Sequence, residues 1–188
     1  MDALTALHTR NSVNLLTEPG PNQRQLDNIV MAGLRACDHK SLKPWKFLLI
    51  EGDARAKFGE LMVKAKEASD GCMLAPDFAI KLKNKPFRAP TIMVVVASIQ
   101  QHEKVPEIEQ LLSAGAAAQM MMTAAHAQGV GAIWRSGSMM FTDEMHRGLN
   151  LGHNDKIVGF IYLGTPKITK PLTELKVDDF VQTWDGSN

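Results

Sequence analysis

The sequence predicts a single globular domain in which strands alternate with helices around one buried helix. Three observations lead there. The stretch Leu111–Gly137 (LLSAGAAAQMMMTAAHAQGVGAIWRSG) begins as a helix of small residues and methionines, apolar nearly all round, as in a helix covered on every side. Thr91–Ala97 (TIMVVVA) is β-branched and apolar throughout, the signature of a strand buried on both faces. Around these two, helical patterns and strand-length apolar runs succeed one another, punctuated by Pro and Gly. At 188 residues, 45% apolar and 22% charged, the chain has the size and composition of one soluble domain with a substantial core.

Taken in order, Asp2–Arg10 forms a short helix with Asp2 as its N-cap and ends in the polar cluster Arg10-Asn11-Ser12. Residues 17–22 carry Pro19, Gly20 and Pro21 and read as a loop. Asn22 caps a helix with Leu26, Ile29, Val30, Gly33 and Leu34 at helical spacing. It leads to Arg35 and the polar run Ala36-Cys37-Asp38-His39-Lys40-Ser41, and then to the strand Lys46–Glu51. A helix follows from Asp53 to about Ser69, with Phe58, Leu61, Met62 and Ala65 on one face. Residues 70–90 have charges and three prolines but little periodicity; they suggest a short helix and a mobile surface loop. Pro106 leads into the central helix, and Gly129 ends it. Val130–Trp134 is a short return segment before the turn Arg135-Ser136-Gly137. Thr142 caps another helix, and 154–164 contains a further strand. Residues 167–188 hold only isolated apolar residues, so this tail is expected to lie on another surface, such as a partner subunit.

The same composition removes several function classes. A net charge of +1 gives no reason to invoke nucleic acid or an anionic membrane. No apolar run is long enough to span a bilayer, and no secretory signal opens the chain. Two cysteines make neither a disulfide framework nor a zinc pattern, so a reducing cytoplasm is the expected setting. The six histidines lack metal-ligand spacing, and no metal is expected. Gly129-Val130-Gly131 follows a helix rather than a strand, so neither a dinucleotide fingerprint nor a phosphate loop is present. Cys37, Asp38 and His39 are sequence neighbours, which seldom face one another, and no oxyanion-hole sequence accompanies them. What remains is a set of polar clusters at element ends, rich in Arg and Ser, the side chains that a phosphate and a polyhydroxyl chain require.

These clusters occur in a characteristic series: Arg10-Asn11-Ser12; the run from Arg35 through His39 to Pro44-Trp45; the Ala/Met helix; 131–137 (GAIWRSG); and 156–166 (KIVGFIYLGTP). Each is weak alone, but five in one order, over about residues 1–166, resemble the nitroreductase family. The resemblance implies an α+β fold, a mixed antiparallel-type sheet flanked by helices, built as an intertwined homodimer with residues 1–188 as one domain. It implies FMN at the subunit interface and NAD(P)H as co-substrate. By position, Arg10, Asn11 and Ser12 would hold the FMN phosphate and ribityl chain, and Arg35 and His39 would reach it from the other subunit. Trp134, Arg135 and Ser136 would line the flavin, and Ala124, Ala125, His126, Ala127, Gln128 and Gly129 would form the NAD(P)H region. The implied activity is ping-pong electron transfer to a nitroaromatic, quinone or similar small-molecule acceptor, with no side chain singled out as an acid or base. A flavin-binding dimer without efficient turnover is the alternative. The sequence departs from the family pattern at Asn11 and Asn14, where cations are frequent, at Cys37, where Pro is usual, and at Lys43, where Gln is common. Arg135 is the candidate to offset charge on the reduced flavin in their place.

Overall fold

The computed structural model describes residues 1–168 and 171–186. The caps expected from the sequence are formed. Asp2 accepts from the Thr5 N–H at the start of α1 (Ala3–Thr9). Asn22 and Gln25 make a reciprocal capping box at α2 (Gln23–Gly33). β1 (Leu16–Thr17) lies between them, a two-residue strand where the sequence suggested the start of a loop. Such a strand is too short to show a period; pairing with distant residues creates it.

The remaining elements are β2 (Trp45–Glu51), α3 (Ala54–Asp70), α4 (Pro76–Lys83), β3 (Thr91–Ser98) and α5 (Glu107–Ala127). They are followed by β4 (Gly131–Arg135), α6 (Asp143–Gly148) and β5 (Asp155–Pro166). The strands form one antiparallel sheet in the order β2-β3-β5-β4, with β1 on the far end of β5.

Each strand's alternation divides the core in two. Ile92, Val94 and Val96 of β3 and Phe160 and Tyr162 of β5 face Phe58, Met62 and Ala65 of α3. Met93 and Val95, with Ile161 and Leu163, face Ile29 of α2 and Met121, Met122 and Ala125 of α5. The sheet is therefore covered on both sides, which explains why β3 is buried throughout its apolar run. The register shifts between Val95 and Val96, opposite Gly159 and Ile157, leaving Val158 outside the pairing. This bulge reverses the facing of the strand start, so Ile157 joins the same layer as Phe160.

Two expectations change. Residues 76–90 are anchored rather than loose: Leu82, Pro86 and Ala89 are buried beneath a helix and a short turn of 3₁₀ structure at Lys85–Arg88. The charges that obscured the segment lie on its outer side. α5 is buried on its sheet side and against α2, but Ile108, Leu112 and Met120 are exposed. Even with α1 and the His39–Ser41 turn against its two ends, the outer stripe of this all-round apolar helix stays uncovered. The tail is also exposed from Leu172 to Trp184. Parts of the expected tail, residues 169–170 and 187–188, lie outside the described residues.

Candidate functional site

α1 stops at Thr9 because Arg10 leaves the helical region, with φ −62° and ψ 126°. The chain then runs extended beside β4, where the Val13 N–H donates to the Ala132 carbonyl at 2.9 Å. This carries Arg10, Asn11 and Ser12 past the C-terminal end of α5. A cavity of about 430 Å³ opens there, bounded by Thr9, Asn11, Val13, His126, Gly129 and Ala132. The Nη1 atom of Arg10 is buried and has no hydrogen-bond partner among the described residues. Such an atom is costly to leave unmatched, so an external acceptor is the natural complement.

His126 helps define this end. The Thr9 hydroxyl donates to the Thr5 carbonyl at 2.6 Å, which uses its proton. It must therefore accept from His126 Nε2, 2.9 Å away, which fixes the Nε2–H tautomer of the neutral ring. Burial, with the charge of Arg10, lowers the His126 pKa below its ordinary value of 6.5, so the ring is neutral at pH 7. Gly129, at φ +75°, ends the helix in the left-handed region, and the return into β4 follows.

Within 124–129 the side chains divide. His126 and Gly129 line the cavity, whereas Ala125 is buried in the core. Gln128 is committed to α2: it donates to the carbonyls of Gln25 and Ala124 and accepts from Asn28 Nδ2 at 2.9 Å. Ala124 packs against the same α2–α5 core.

His39 occurs at the opposite end of α5, whereas Arg35 precedes Ala36, which packs with Ala114 and Ala117 midway along it. His39 Nδ1 lies 2.7 Å from Glu109, in the first turn of that helix. At 1.5 Å per residue, Glu109 and His126 are separated by roughly 26 Å along the axis. One chain therefore brings Arg10, Asn11, Ser12 and His126 to one end of α5 and His39 to the other, with Arg35 at a level between them.

β4 delivers Trp134 and Arg135 to opposite faces of the sheet. Trp134 packs with the α2–α5 layer, its indole against Gly159, where a Cβ would come within 2.0 Å of Nε1. Arg135 turns to the α3 side, its guanidinium 5.7 Å from the Tyr162 ring centroid, with a buried Nε that has no hydrogen-bond partner among the described residues. Ser136 is exposed in the following turn. Lys85 and Arg88, which sequence reasoning missed, flank Arg135. Their only signal was a pair of cations three residues apart in a segment without readable periodicity. Among the described residues, none of Arg10, Lys85, Arg88 or Arg135 is ion-paired with a carboxylate. Burial pushes the Tyr162 pKa up to about 12, against the opposing pull of Arg135 and Arg88. Its hydroxyl is therefore un-ionised at neutral pH.

No group of three or more His, Cys, Asp or Glu side chains among the described residues could hold a metal ion. No helix among them is long and apolar enough to cross a membrane.

Comparison with known proteins agrees with this architecture. The chain is 45% identical over 179 residues to "Putative NAD(P)H nitroreductase YdjA" of Escherichia coli K12, covering 95% of this chain and 96% of that one. Its fold matches the crystal structure of a nitroreductase-like family protein from Bacillus cereus, with TM-score 0.82, 19% identity and coverage of 99% and 97%. It also matches a nitroreductase with bound FMN from Bacteroides fragilis, with TM-score 0.76, 18% identity and coverage of 98% and 100%. The family model "Nitroreductase family" matches residues 8–165, most of the chain, and the protein belongs to that family.

Proposed function

We propose that the protein is an FMN-dependent NAD(P)H oxidoreductase, acting as a homodimer on nitroaromatics, quinones or similar flat acceptors in a ping-pong cycle. The observation that carries this reading is the buried Nη1 of Arg10, which has no hydrogen-bond partner among the described residues and belongs to the segment whose neighbours Thr9 and Asn11 line a cavity. A phosphate satisfies it with a charge-assisted hydrogen bond. The residues present fit the group: a guanidinium with an unsatisfied donor and the exposed hydroxyl of Ser12. Arg35 and His39 would complete the site from the partner subunit; the length of α5 keeps His39 from Arg10 of its own chain. The uncovered stripe of α5 and the exposed tail supply apolar surface for that assembly.

Bound FMN supplies the two-electron chemistry, receiving a hydride equivalent from NAD(P)H and passing reducing equivalents to the acceptor. The chain's own residues bind, orient and shield. Arg10 and Ser12 hold the phosphate end, and His126 and Gly129 shape the wall beside them. Trp134, fixed against Gly159, gives a rigid apolar surface. Cys37 and Cys72 are free and exposed, which suits a reducing cytoplasm.

The test is anaerobic titration of the purified protein with NADH and with NADPH, followed by addition of acceptors. Yellow protein that bleaches with a nicotinamide and recolours with an acceptor supports the enzyme. Yellow protein that does not bleach would favour the flavin-binding dimer without turnover. Colourless protein that takes up no added FMN would defeat both.

A further inference from the structure

His39 belongs to a turn whose backbone is fixed independently of its side chain. Lys40, Ser41 and Lys43 all lie in the left-handed region, at φ +60°, +54° and +50°. Such residues persist only where the surroundings over-determine them. The Asp38 carboxylate accepts from the Lys43 N–H, and Gln100 Nε2 donates to the Leu42 carbonyl at 2.8 Å. Gln100 is held in turn by the buried Gln110 of α5, which accepts from its N–H at 2.9 Å and donates to its carbonyl at 2.8 Å. None of these bonds directs the imidazole.

Glu109 directs it. His39 Nδ1 lies 2.7 Å from Glu109 Oε2. A carboxylate oxygen accepts, so Nδ1 carries the proton, and the neutral ring keeps an open lone pair at Nε2. The two ring nitrogens diverge, which turns Nε2 away from the carboxylate. Glu109 is itself seated in the first turn of α5, where the Ser113 hydroxyl donates to its carbonyl at 2.9 Å. Both side chains are about half exposed, and a polar contact in that setting adds little to stability. Orientation of the ring is the effect that remains.

We propose that Glu109 is a positioning residue for the cofactor: it fixes His39 with Nδ1 bound and Nε2 presented to the FMN held at the subunit interface. The inference rests on the oxidoreductase reading, which places His39 against FMN, and it adds to that site a carboxylate that need not touch FMN itself. The strained turn sets where His39 stands, and Glu109 sets which ring nitrogen it offers.

The experiment uses the full-length protein, its FMN removed, and the variants Glu109→Ala, Glu109→Gln, His39→Ala and the Glu109→Ala/His39→Ala double. FMN is titrated back by fluorescence. Glu109→Ala should weaken binding by about two- to tenfold, the size of one hydrogen bond. The double variant should bind no more weakly than His39→Ala alone, since Glu109 acts only through the ring. Glu109→Gln keeps an accepting oxygen and should restore part of the affinity. Ring-nitrogen NMR of the FMN-free protein in alkaline buffer, with His39 assigned by its loss in His39→Ala, reads the tautomer directly. The parent should show Nδ1–H, and Glu109→Ala should shift toward the Nε2–H form that free histidine side chains favour. An unchanged tautomer, unchanged FMN affinity in Glu109→Ala, or a double variant weaker than His39→Ala would overturn the proposal. A parent protein that takes up no FMN would instead defeat the oxidoreductase reading, and the ring signal would still decide whether Glu109 sets His39.

Discussion

Arg10 carries a charge that no carboxylate among the described residues offsets, and it has one donor sealed from solvent. That combination makes it dependent on a bound anion. Losing one charge-assisted contact costs about 1.5–3 kcal/mol. Arg10→Ala should therefore weaken FMN binding by about tenfold or more, measured by titrating FMN fluorescence against protein. Circular dichroism should show an unchanged fold, because Arg10 lies outside both core layers. Unchanged FMN affinity would place the phosphate elsewhere. A different kind of dependence holds for Asp155. Burial alone would raise its pKa, but hydrogen bonds from Lys46 at 2.5 Å, Ser98 at 2.6 Å and the Gly152 N–H at 2.7 Å hold it below the ordinary 3.8. A depressed folded-state pKa stabilises the protein above the unfolded value, and the gain is lost as pH falls through the folded value. Asp155→Asn should remove this contribution, so that its stability deficit at pH 7 shrinks as pH falls through and below 3.8, read from urea midpoints.

At the scale of elements, the α2–α5 pair is clamped by side chains as well as by its apolar seam. Gln128 holds the end of α5 to Gln25 and Asn28, while Gln25 Nε2 returns a bond to the Gln128 carbonyl. Gln128→Ala removes the bonds its side chain makes to the Gln25 and Ala124 carbonyls and to Asn28, leaving those partners short, and keeps the bond accepted by its main-chain carbonyl. It should lower unfolding stability by about 1–3 kcal/mol, seen as a reduced urea midpoint with the slope unchanged. No change would mean that the apolar seam alone sets the helix pairing. Elements whose signals are local were legible in the sequence: the Asp2 and Asn22 caps, the left-handed Gly129, and β3 with its unbroken apolar run. Those created by partners were not. β1 exists because Leu16 and Thr17 meet Pro166 and Thr165. The Lys85–Arg88 turn is held by burial of Pro86 and Ala89 against α3, which no period in 70–90 announces. The site divides in the same way. Arg10 and His126 could be named from sequence, but the Thr9 hydrogen bond and the separation of Trp134 from Arg135 depend on the strand's facing.

At the scale of the whole molecule, the question is how residues at opposite ends of a 21-residue helix could serve one cofactor. Two antiparallel copies of α5 would set the Arg10 end of one chain beside the His39 end of the other and bring Arg35 of that chain closer. The exposed Ile108, Leu112 and Met120 provide apolar contacts on the required face. The resemblance read from the sequence implied this exchange, and the roughly 26 Å between Glu109 and His126 supplies its physical reason. The direct measurement is FMN content in a mixed dimer made by co-expressing an Arg10→Ala chain with an Arg35→Ala chain under different tags. Each homodimer should bind FMN weakly at both sites. If the site is shared between subunits, the mixed dimer has one site with both residues intact and one with neither, and it should recover about half of the parent's FMN. If each site is built within one chain, every site in the mixed dimer lacks a residue, and FMN content no higher than in the homodimers would contradict the account.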